Sequence, residues 1–116
     1  LAKKKGTLII ASYHNYELTP PLKTLNSVLE KCRSLNPDVI KISCFSKSDK
    51  DNLKLLSLLD QPEDMIVVGM GQKGRITRLI APSFGAFCTY VCVDKDKKTA
   101  LGQYSIKEME KFCCSL

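Results

Sequence analysis

Four short apolar segments, separated by stretches with helical spacing, limit the possible folds of this chain more than any other feature. The segments are rich in β-branched residues and comprise Thr7–Ser12, Val39–Phe45, Met65–Met70 and Phe87–Val93. Nearly continuous apolar runs of this length are typical of parallel strands that are covered on both faces. The pattern therefore predicts four parallel strands of an α/β sheet.

Each predicted strand is followed by a helical signal. Apolar spacing or capping signals predict helices after Pro20-Pro21, after the capping box Ser48-x-x-Asp51, over Arg75–Ala81 and after the capping box Ser105-x-x-Glu108. The order β-α-β-α-β-α-β-α implies right-handed parallel crossovers. Two architectures share this order: a small flavodoxin-like sandwich, and half of an eight-stranded (β/α) barrel.

Length and charge set further limits. The 116 residues suit one domain or a piece of a larger one, and the hydrophobic content of 44% is sufficient for a core. The net charge of +6 favours an anionic partner. Because the sequence has neither an arginine-rich helix nor an aromatic stacking motif, we expect a small anionic substrate rather than nucleic acid. No apolar run approaches the ~18 residues of a membrane span, so no membrane partner is expected.

The six cysteines bear on the compartment and on metal binding. They contain no C-x-x-C pair, and a single histidine is available to complete a metal site. We therefore expect free thiols in a reducing cytoplasm and no metal. A disulfide framework or a zinc site is the alternative.

Two residues associated with the first two strands suggest a chemistry. His14, the only histidine, follows the first apolar segment, and Lys41 interrupts the second, where burial normally excludes a charge. A lysine in an apolar pocket loses its proton more easily and becomes an amine nucleophile, and a histidine beside it can move protons near neutral pH. Together they suggest Schiff-base chemistry on a carbonyl substrate. The alternatives are a hydrogen-bonded polar histidine and a lysine that protects an edge strand from aggregation.

Further polar residues follow the third and fourth predicted strands. Arg78, in G-R-I-T-R, presents a fork of donors suited to a carboxylate or phosphate. Thr99–Gln103 is a loop with hydroxyl and amide groups suited to a polyol. Because active groups gather at the carboxyl ends of parallel strands, these features are predicted to meet His14 and Lys41 at one face. Taken singly, Arg78 would be a solvated helix residue and the loop an ordinary turn.

The same residues, with their neighbours, resemble the type I 3-dehydroquinase family. The matching segments, in order along the chain, are I-A-S-Y-H-N-Y-E-L-T-P (10–20), D-V-I-K-I (38–42), M-G-Q-K-G-R-I-T-R-L (70–79), F-G-A (84–86) and T-A-L-G-Q (99–103). They span nearly the whole chain but only the C-terminal half of the family's (β/α)8 TIM barrel, about four βα units. The resemblance thus implies that residues 1–116 form that half and that the N-terminal half is absent from the chain.

The resemblance also implies an activity, the dehydration of 3-dehydroquinate to 3-dehydroshikimate in the shikimate pathway, without metal or cofactor. It assigns the Schiff base to Lys41, acid–base catalysis to His14, and substrate binding to Arg78, Thr99 and Gln103.

A half barrel has open strand edges, so we expect a homodimer or association with the missing half, and little activity alone. A bifunctional dehydroquinase/shikimate dehydrogenase is one possible source of the chain. The alternatives are another Schiff-base barrel enzyme, such as an aldolase, and a non-catalytic flavodoxin-like interaction module.

Overall fold

The computed structural model describes residues 6–92 and 102–115, which form an α/β fold with parallel strands. Its central feature is a three-stranded sheet in the order β1-β2-β3, built from Ile10–Asn15, Val39–Phe45 and Asp64–Met70. Both pairs of neighbouring strands are parallel. The helices that follow these strands are α1 (Leu22–Ser34), α2 (Asp49–Ser57) and α3 (Gly71–Ile80). The predicted alternation of strands and helices is therefore confirmed for these three units.

Successive residues of the strands point to two different faces of the sheet. One face packs against the helices and contributes to the main core, which comprises Ala11, Leu25, Leu29, Cys32, Ile40, Ile42, Cys44, Leu55, Leu58, Met65, Val67 and Ala81. The opposite face carries Lys41 and Ser43 beside a smaller apolar cluster of Val39, Ile66 and Val68. The buried strand residues on the helix-covered face are thus apolar, and the polar side chains of Lys41 and Ser43 are placed on the other face.

β1 begins and ends later than predicted. The apolar residues predict a strand over Thr7–Ser12, whereas the strand is Ile10–Asn15. The reason lies in the partner strand: β2 starts at Val39, which pairs with Ile10, so the ladder begins there. His14 consequently lies within the strand rather than after it, and pairing with β2 holds its backbone in place.

Two helices begin with the caps that the sequence predicts. The Ser48 side chain accepts a hydrogen bond from the Asp51 amide at the start of α2 (3.2 Å). At the start of α4 (Ile106–Ser115), the Glu108 amide donates to Ser105 Oγ and the Ser105 amide donates to the Glu108 carboxylate. This reciprocal pair of bonds is a capping box, so both predicted helix starts are confirmed.

α3 is longer than the predicted helix over Arg75–Ala81, because it begins directly after β3 at Gly71. Gly71 and Gly74 have low helix propensity, which hides this start in the sequence. The first turns are held by close packing on β3. The Thr77 hydroxyl accepts a hydrogen bond from the Gly69 amide of β3 (2.8 Å) and donates to the Gly74 carbonyl (2.7 Å).

The fourth predicted strand is only partly present. The sequence predicts a strand over Phe87–Val93, but the described residues contain only Val91–Cys92 (β4), which pairs with Tyr104–Ser105 (β5) and not with β3. The Phe87 amide still donates to the Met65 carbonyl (2.7 Å), which ties the segment to β3. A single four-stranded sheet is therefore the wrong prediction, since the described residues form one three-stranded and one two-stranded sheet.

No helix within residues 6–92 and 102–115 is long and apolar enough to cross a membrane. Four cysteines of the described residues are free thiols: Cys32, Cys44, Cys88 and Cys92.

Candidate active site

His14 and Lys41 come from neighbouring strands and share one face of the sheet. In the parallel register Ser12 pairs with Lys41, and His14 pairs with Ser43. Because paired residues of parallel strands point to the same side, both functional side chains lie on the face opposite the helices. β2 is the middle strand of the three-stranded sheet, so the alternative in which Lys41 protects a sheet edge is wrong.

A cavity of about 310 Å³ opens on this face. It brings together four of the five predicted site residues, namely His14, Lys41, Arg78 and Gln103. The fifth, Thr99, lies outside the described residues. The remaining lining residues are Tyr16, Ser43, Val68, Met70 and Tyr90. One cavity therefore holds an amine, an imidazole and two groups able to orient a polar substrate.

The environment of His14 favours its neutral form. Partial burial lowers the pKa of His14 because it disfavours the imidazolium, and the positive charge of Lys41 lowers this pKa further. The imidazole is therefore neutral at neutral pH and can accept a proton. Its ring stacks on that of Tyr16, with the ring centroids 5.8 Å apart and the planes inclined by 8°.

Lys41 is half-buried, and its amine lies over an aromatic ring. The distance from Nζ to the centroid of the Tyr90 ring is 4.6 Å. This distance lies within the ~6 Å range of a cation–π interaction. The amine is thus held at the wall of the cavity rather than extended into solvent.

Arg78 reaches the cavity from α3 with a buried guanidinium. The residue is only 4% exposed, and burial lowers its pKa, although an arginine remains charged at neutral pH. Its Nε has no hydrogen-bond partner among the residues that the structure describes. Because a buried guanidinium needs hydrogen-bond acceptors and Arg78 lines the cavity, an anion bound in the cavity would provide acceptors for the end of this side chain.

Gln103 is buried in the cavity wall and is anchored on both sides. The preceding Gly102 has a φ of +86°, and a Cβ atom there would lie 2.6 Å from the carbonyl oxygen of Gly71. The following Tyr104 is covered by Arg75, whose guanidinium carbon lies 4.0 Å from the ring centroid. Arg75 also forms an ion pair with a carboxylate of α4 (3.0 Å). The start of α3 therefore packs against both neighbours of Gln103.

Of the five lining residues that the sequence analysis does not assign to the site, three carry a hydroxyl group: Tyr16, Ser43 and Tyr90. Ser43 follows Lys41 by two positions within β2, so the period of a strand indicates that it shares the face of the amine. Tyr16 lies just beyond the end of β1, where its ring stacks on that of His14. Tyr90 has no such signal, because its position depends on the turn after α3. There the Thr89 hydroxyl donates to the Arg78 carbonyl oxygen (2.9 Å) and holds the segment against the helix.

A second groove, of about 430 Å³, lies between α2 and the turn after α3. Its lining residues are mostly apolar: Leu53, Leu56, Ser57, Leu59, Asp60 and Phe84. The groove has neither an amine nor an imidazole, so the predicted carbonyl chemistry belongs to the first cavity.

Comparisons with known proteins point to one family. The family model of type I 3-dehydroquinase matches residues 1–114. A 3-dehydroquinate dehydratase from Pyrococcus abyssi is 37% identical over 109 residues, which cover 94% of this chain and 49% of that protein. The chain thus spans about half the length of the curated relatives that it matches.

Solved structures show the same likeness. The crystal structure of 3-dehydroquinate dehydratase from Geobacillus kaustophilus superposes with a TM-score of 0.87 at 25% identity, covering 98% of this chain and 46% of that one. A structure of dehydroquinate dehydratase and shikimate dehydrogenase from S. pombe superposes with a TM-score of 0.68 at 25% identity, covering 91% of this chain and 21% of that one. The predicted α/β class is confirmed, and the shares covered fit part of a (β/α)8 barrel.

Proposed function

The chain belongs to the type I 3-dehydroquinase family, and on that basis we propose that it carries the C-terminal half of a 3-dehydroquinate dehydratase. The proposed reaction is the Schiff-base dehydration of 3-dehydroquinate to 3-dehydroshikimate, a lyase reaction of the shikimate pathway. One observation carries this proposal: Lys41 of the central strand lines a single cavity with His14 and Arg78. Residues 1–116 are accordingly proposed to be the C-terminal half of a (β/α)8 barrel domain.

Lys41 is the proposed nucleophile. Its neutral amine attacks the C3 ketone of the substrate, and loss of one water gives an iminium with the positive charge on nitrogen. The iminium withdraws electrons from the neighbouring C2 and makes the C2 proton acidic. The position of Nζ at the cavity wall supports this role, because the carbonyl carbon can be reached from the open side of the cavity.

His14 is the proposed acid and base. Its lowered pKa supports this role, because a neutral imidazole can accept the C2 proton while the C–H electrons form an enamine. The imidazolium then protonates the C1 hydroxyl, which leaves as water as the C1–C2 double bond forms. Water finally hydrolyses the iminium and restores the amine. Imine formation releases one water and hydrolysis consumes one, so the net change is the loss of one water from the substrate.

Substrate binding is assigned to three further residues. Arg78 is proposed to hold the substrate carboxylate, which is supported by its buried guanidinium and its place in the cavity lining. Gln103 is proposed to hydrogen-bond a ring hydroxyl. Thr99 keeps the same role by resemblance, since it lies outside the described residues. The proposed steps use these side chains and need no metal or cofactor.

We further propose that the chain works with the N-terminal half of a barrel or with a second copy. β1 is an edge of the described three-stranded sheet, and Leu8 and Ile10 beside this edge are 62% and 46% exposed. An exposed apolar edge of this kind favours pairing with another strand. The likeness to the S. pombe structure supports a bifunctional enzyme as the source. The free thiols support a cytoplasmic location.

The test is reductive trapping. The chain is incubated with 3-dehydroquinate and borohydride, and the adduct is measured by intact mass and located by peptide mapping. The same experiment is run on a completed barrel, in which the chain follows the N-terminal half of the Pyrococcus abyssi relative. We expect an adduct on Lys41, at least in the completed barrel, and formation of the conjugated product 3-dehydroshikimate rather than products of C–C cleavage.

Lysine variants provide the matched control. Lys41→Met removes the adduct, whereas Lys54→Met, which changes a half-buried lysine of α2, leaves it unchanged. An adduct that persists in Lys41→Met, or none on Lys41 in either form of the protein, would show that the proposed function is wrong.

A further inference from the structure

Tyr90 forms a wall of the cavity directly beside the reacting nitrogen. Its ring centroid lies 4.6 Å from Nζ of Lys41, and the residue is 37% exposed. The neighbouring Thr89 hydroxyl is bonded to the Arg78 carbonyl oxygen (2.9 Å), so the segment is attached to α3. The ring therefore has a defined position relative to the amine.

An aromatic face attracts a cation because its π electrons present partial negative charge. The attraction is stronger when water is excluded from the cation. In the ligand-free chain Nζ of Lys41 borders an open cavity that water can enter, whereas bound substrate covers the iminium nitrogen. The same ring contact is therefore worth more in the iminium than in the resting lysine.

We infer that Tyr90 is a further catalytic residue: its ring face stabilises the positively charged iminium nitrogen formed on Lys41. This inference rests on the proposed Schiff-base function. It extends that function by giving the electron-withdrawing nitrogen a partner other than water.

The ring, rather than an ionised phenol, is the stabilising group. Partial burial raises the pKa of Tyr90, and the negative charge that Cys88 acquires on ionisation raises it further. The phenol is thus neutral at neutral pH. Tyr90→Phe, which keeps the ring and removes the hydroxyl, is therefore the control variant.

Ring fluorination tests the inference, because it weakens the negative face and changes the shape little. Position 90 carries phenylalanine or its mono-, di- or trifluorinated forms, and the initial rate of borohydride trapping on Lys41 is measured at one subsaturating concentration of 3-dehydroquinate. We expect Tyr90→Phe to lie within about 2-fold of the wild type. Trapping should then fall stepwise with fluorination, by about 3- to 10-fold at the end of the series.

Tyr90→Leu removes the ring and should lower trapping by a similar factor. Equal trapping across the fluorinated series would overturn the inference, since a ring that only packs is indifferent to its fluorine content. If Tyr90→Leu does not fold, the fluorinated series alone decides.

Nuclear magnetic resonance separates this inference from the proposed function. The ring current of Tyr90 should shift the ε-methylene protons of Lys41 upfield in the wild type and in Tyr90→Phe, but not in Tyr90→Leu. A wild type without this shift would overturn the role of Tyr90 alone. A completed barrel without an adduct on Lys41 would overturn the proposed function, and the role of Tyr90 with it.

Discussion

Gly74 of α3 lies so close to Gly69 of β3 that a Cβ atom at position 74 would come within 2.3 Å of the Gly69 carbonyl carbon and oxygen. Contacts this short with backbone atoms require one of the two elements to move. The contact brings the first turn of α3 onto the end of β3, and Arg78 follows in the next turn of the same buried helix face. The direction of the guanidinium therefore depends on a pair of residues that have no side chains.

We expect Gly74→Ala to lower the free energy of unfolding by about 1–3 kcal/mol, the usual penalty of overpacking. Helix propensity alone predicts the opposite sign, since alanine is better than glycine by about 1 kcal/mol in a helix. Urea unfolding decides between the two effects. Gln72→Ala, at an exposed position of the same helix, should stay within about 0.5 kcal/mol of the wild type. If Gly74→Ala and Gln72→Ala had the same free energy of unfolding, the expected clash at position 74 would be contradicted.

Gly102 and Gly85 form a matched pair that separates backbone strain from a steric clash. Their φ angles are similar, +86° and +90°, but a Cβ atom at 102 would meet the Gly71 carbonyl oxygen at 2.6 Å, whereas one at 85 would meet nothing within 4 Å. Both alanine variants should lose about 1 kcal/mol of stability from the left-handed backbone. Only Gly102→Ala should also weaken substrate binding, because it displaces Gln103. If trapping increased with substrate concentration in the same way in both variants, the position of Gln103 would not depend on the contact between Gly102 and Gly71.

The titration of His14 can be followed without assignment, because it is the only histidine of the chain. Its pKa lies below 6.5, and burial is a larger cause than the charge of Lys41. Lys41→Met should therefore raise this pKa without restoring it fully to 6.5, as measured from the pH dependence of the imidazole C2 proton. Lys107→Met, at an exposed position of α4, should leave it unchanged. A pKa that does not rise in Lys41→Met would mean that the two side chains are not electrostatically coupled.

The lowered pKa of His14 also determines in which direction folding stability changes with pH. The folded chain binds the histidine proton less tightly than the unfolded chain, so folding stability falls as the pH drops below 6.5 and levels off below the folded pKa. The rate of adduct conversion to product should fall as the pH drops through the folded pKa of His14, since imidazolium cannot accept the C2 proton. In His14→Gln we expect residual trapping whose rate of conversion to product no longer decreases at acidic pH. If the decrease at acidic pH were unchanged in this variant, it would belong to a group other than His14.

Arg78→Met should separate binding from stability. It removes a buried charge whose Nε has no partner among the described residues, so the ligand-free chain should unfold at equal or higher urea concentration. Substrate binding should weaken by about 10-fold or more, because charge-assisted hydrogen bonds to the carboxylate are lost. Concentration-dependent trapping measures the binding, and unchanged binding would rule out Arg78 as the carboxylate ligand.

Arg33→Met gives the opposite pattern and serves as the control for Arg78→Met. Arg33 bonds to Glu63 (2.8 Å) and to Gln61 (2.6 Å), which connects α1 to the start of β3 away from the cavity. Its loss should lower stability and leave binding unchanged.

The sequence predicts best those elements whose limits depend on their own residues. β2 is predicted to the residue as Val39–Phe45, because its apolar run coincides with the central strand. The starts of α2 and α4 are predicted equally well, since the bonds that fix them lie within three residues. The limits of β1 are wrong because its partner strand sets them, and the early start of α3 is missed because packing on β3 overrides two glycines.

The site residues can be divided in the same way, into those placed by their own strands and those placed by contacts with other elements. Four of the predicted residues line one cavity, because the carboxyl ends of parallel strands converge whatever the loops do. Tyr90 could not be predicted, since its place beside Lys41 depends on a hydrogen bond from its neighbour to a carbonyl of α3. The roles of the cavity residues in the reaction stay predictions until the variants are measured.

The two faces of β2 impose different selection on adjacent residues of the chain. Ile40, Ile42 and Cys44 belong to the helix-covered core, while Lys41 and Ser43 line the cavity. A saturation scan of this strand, scored once for protein abundance and once for turnover, should give two interleaved profiles that alternate at every residue. Substitutions at the cavity positions can then alter the chemistry without unfolding the protein. Substitutions at the core positions can change protein abundance without altering which substrate is used.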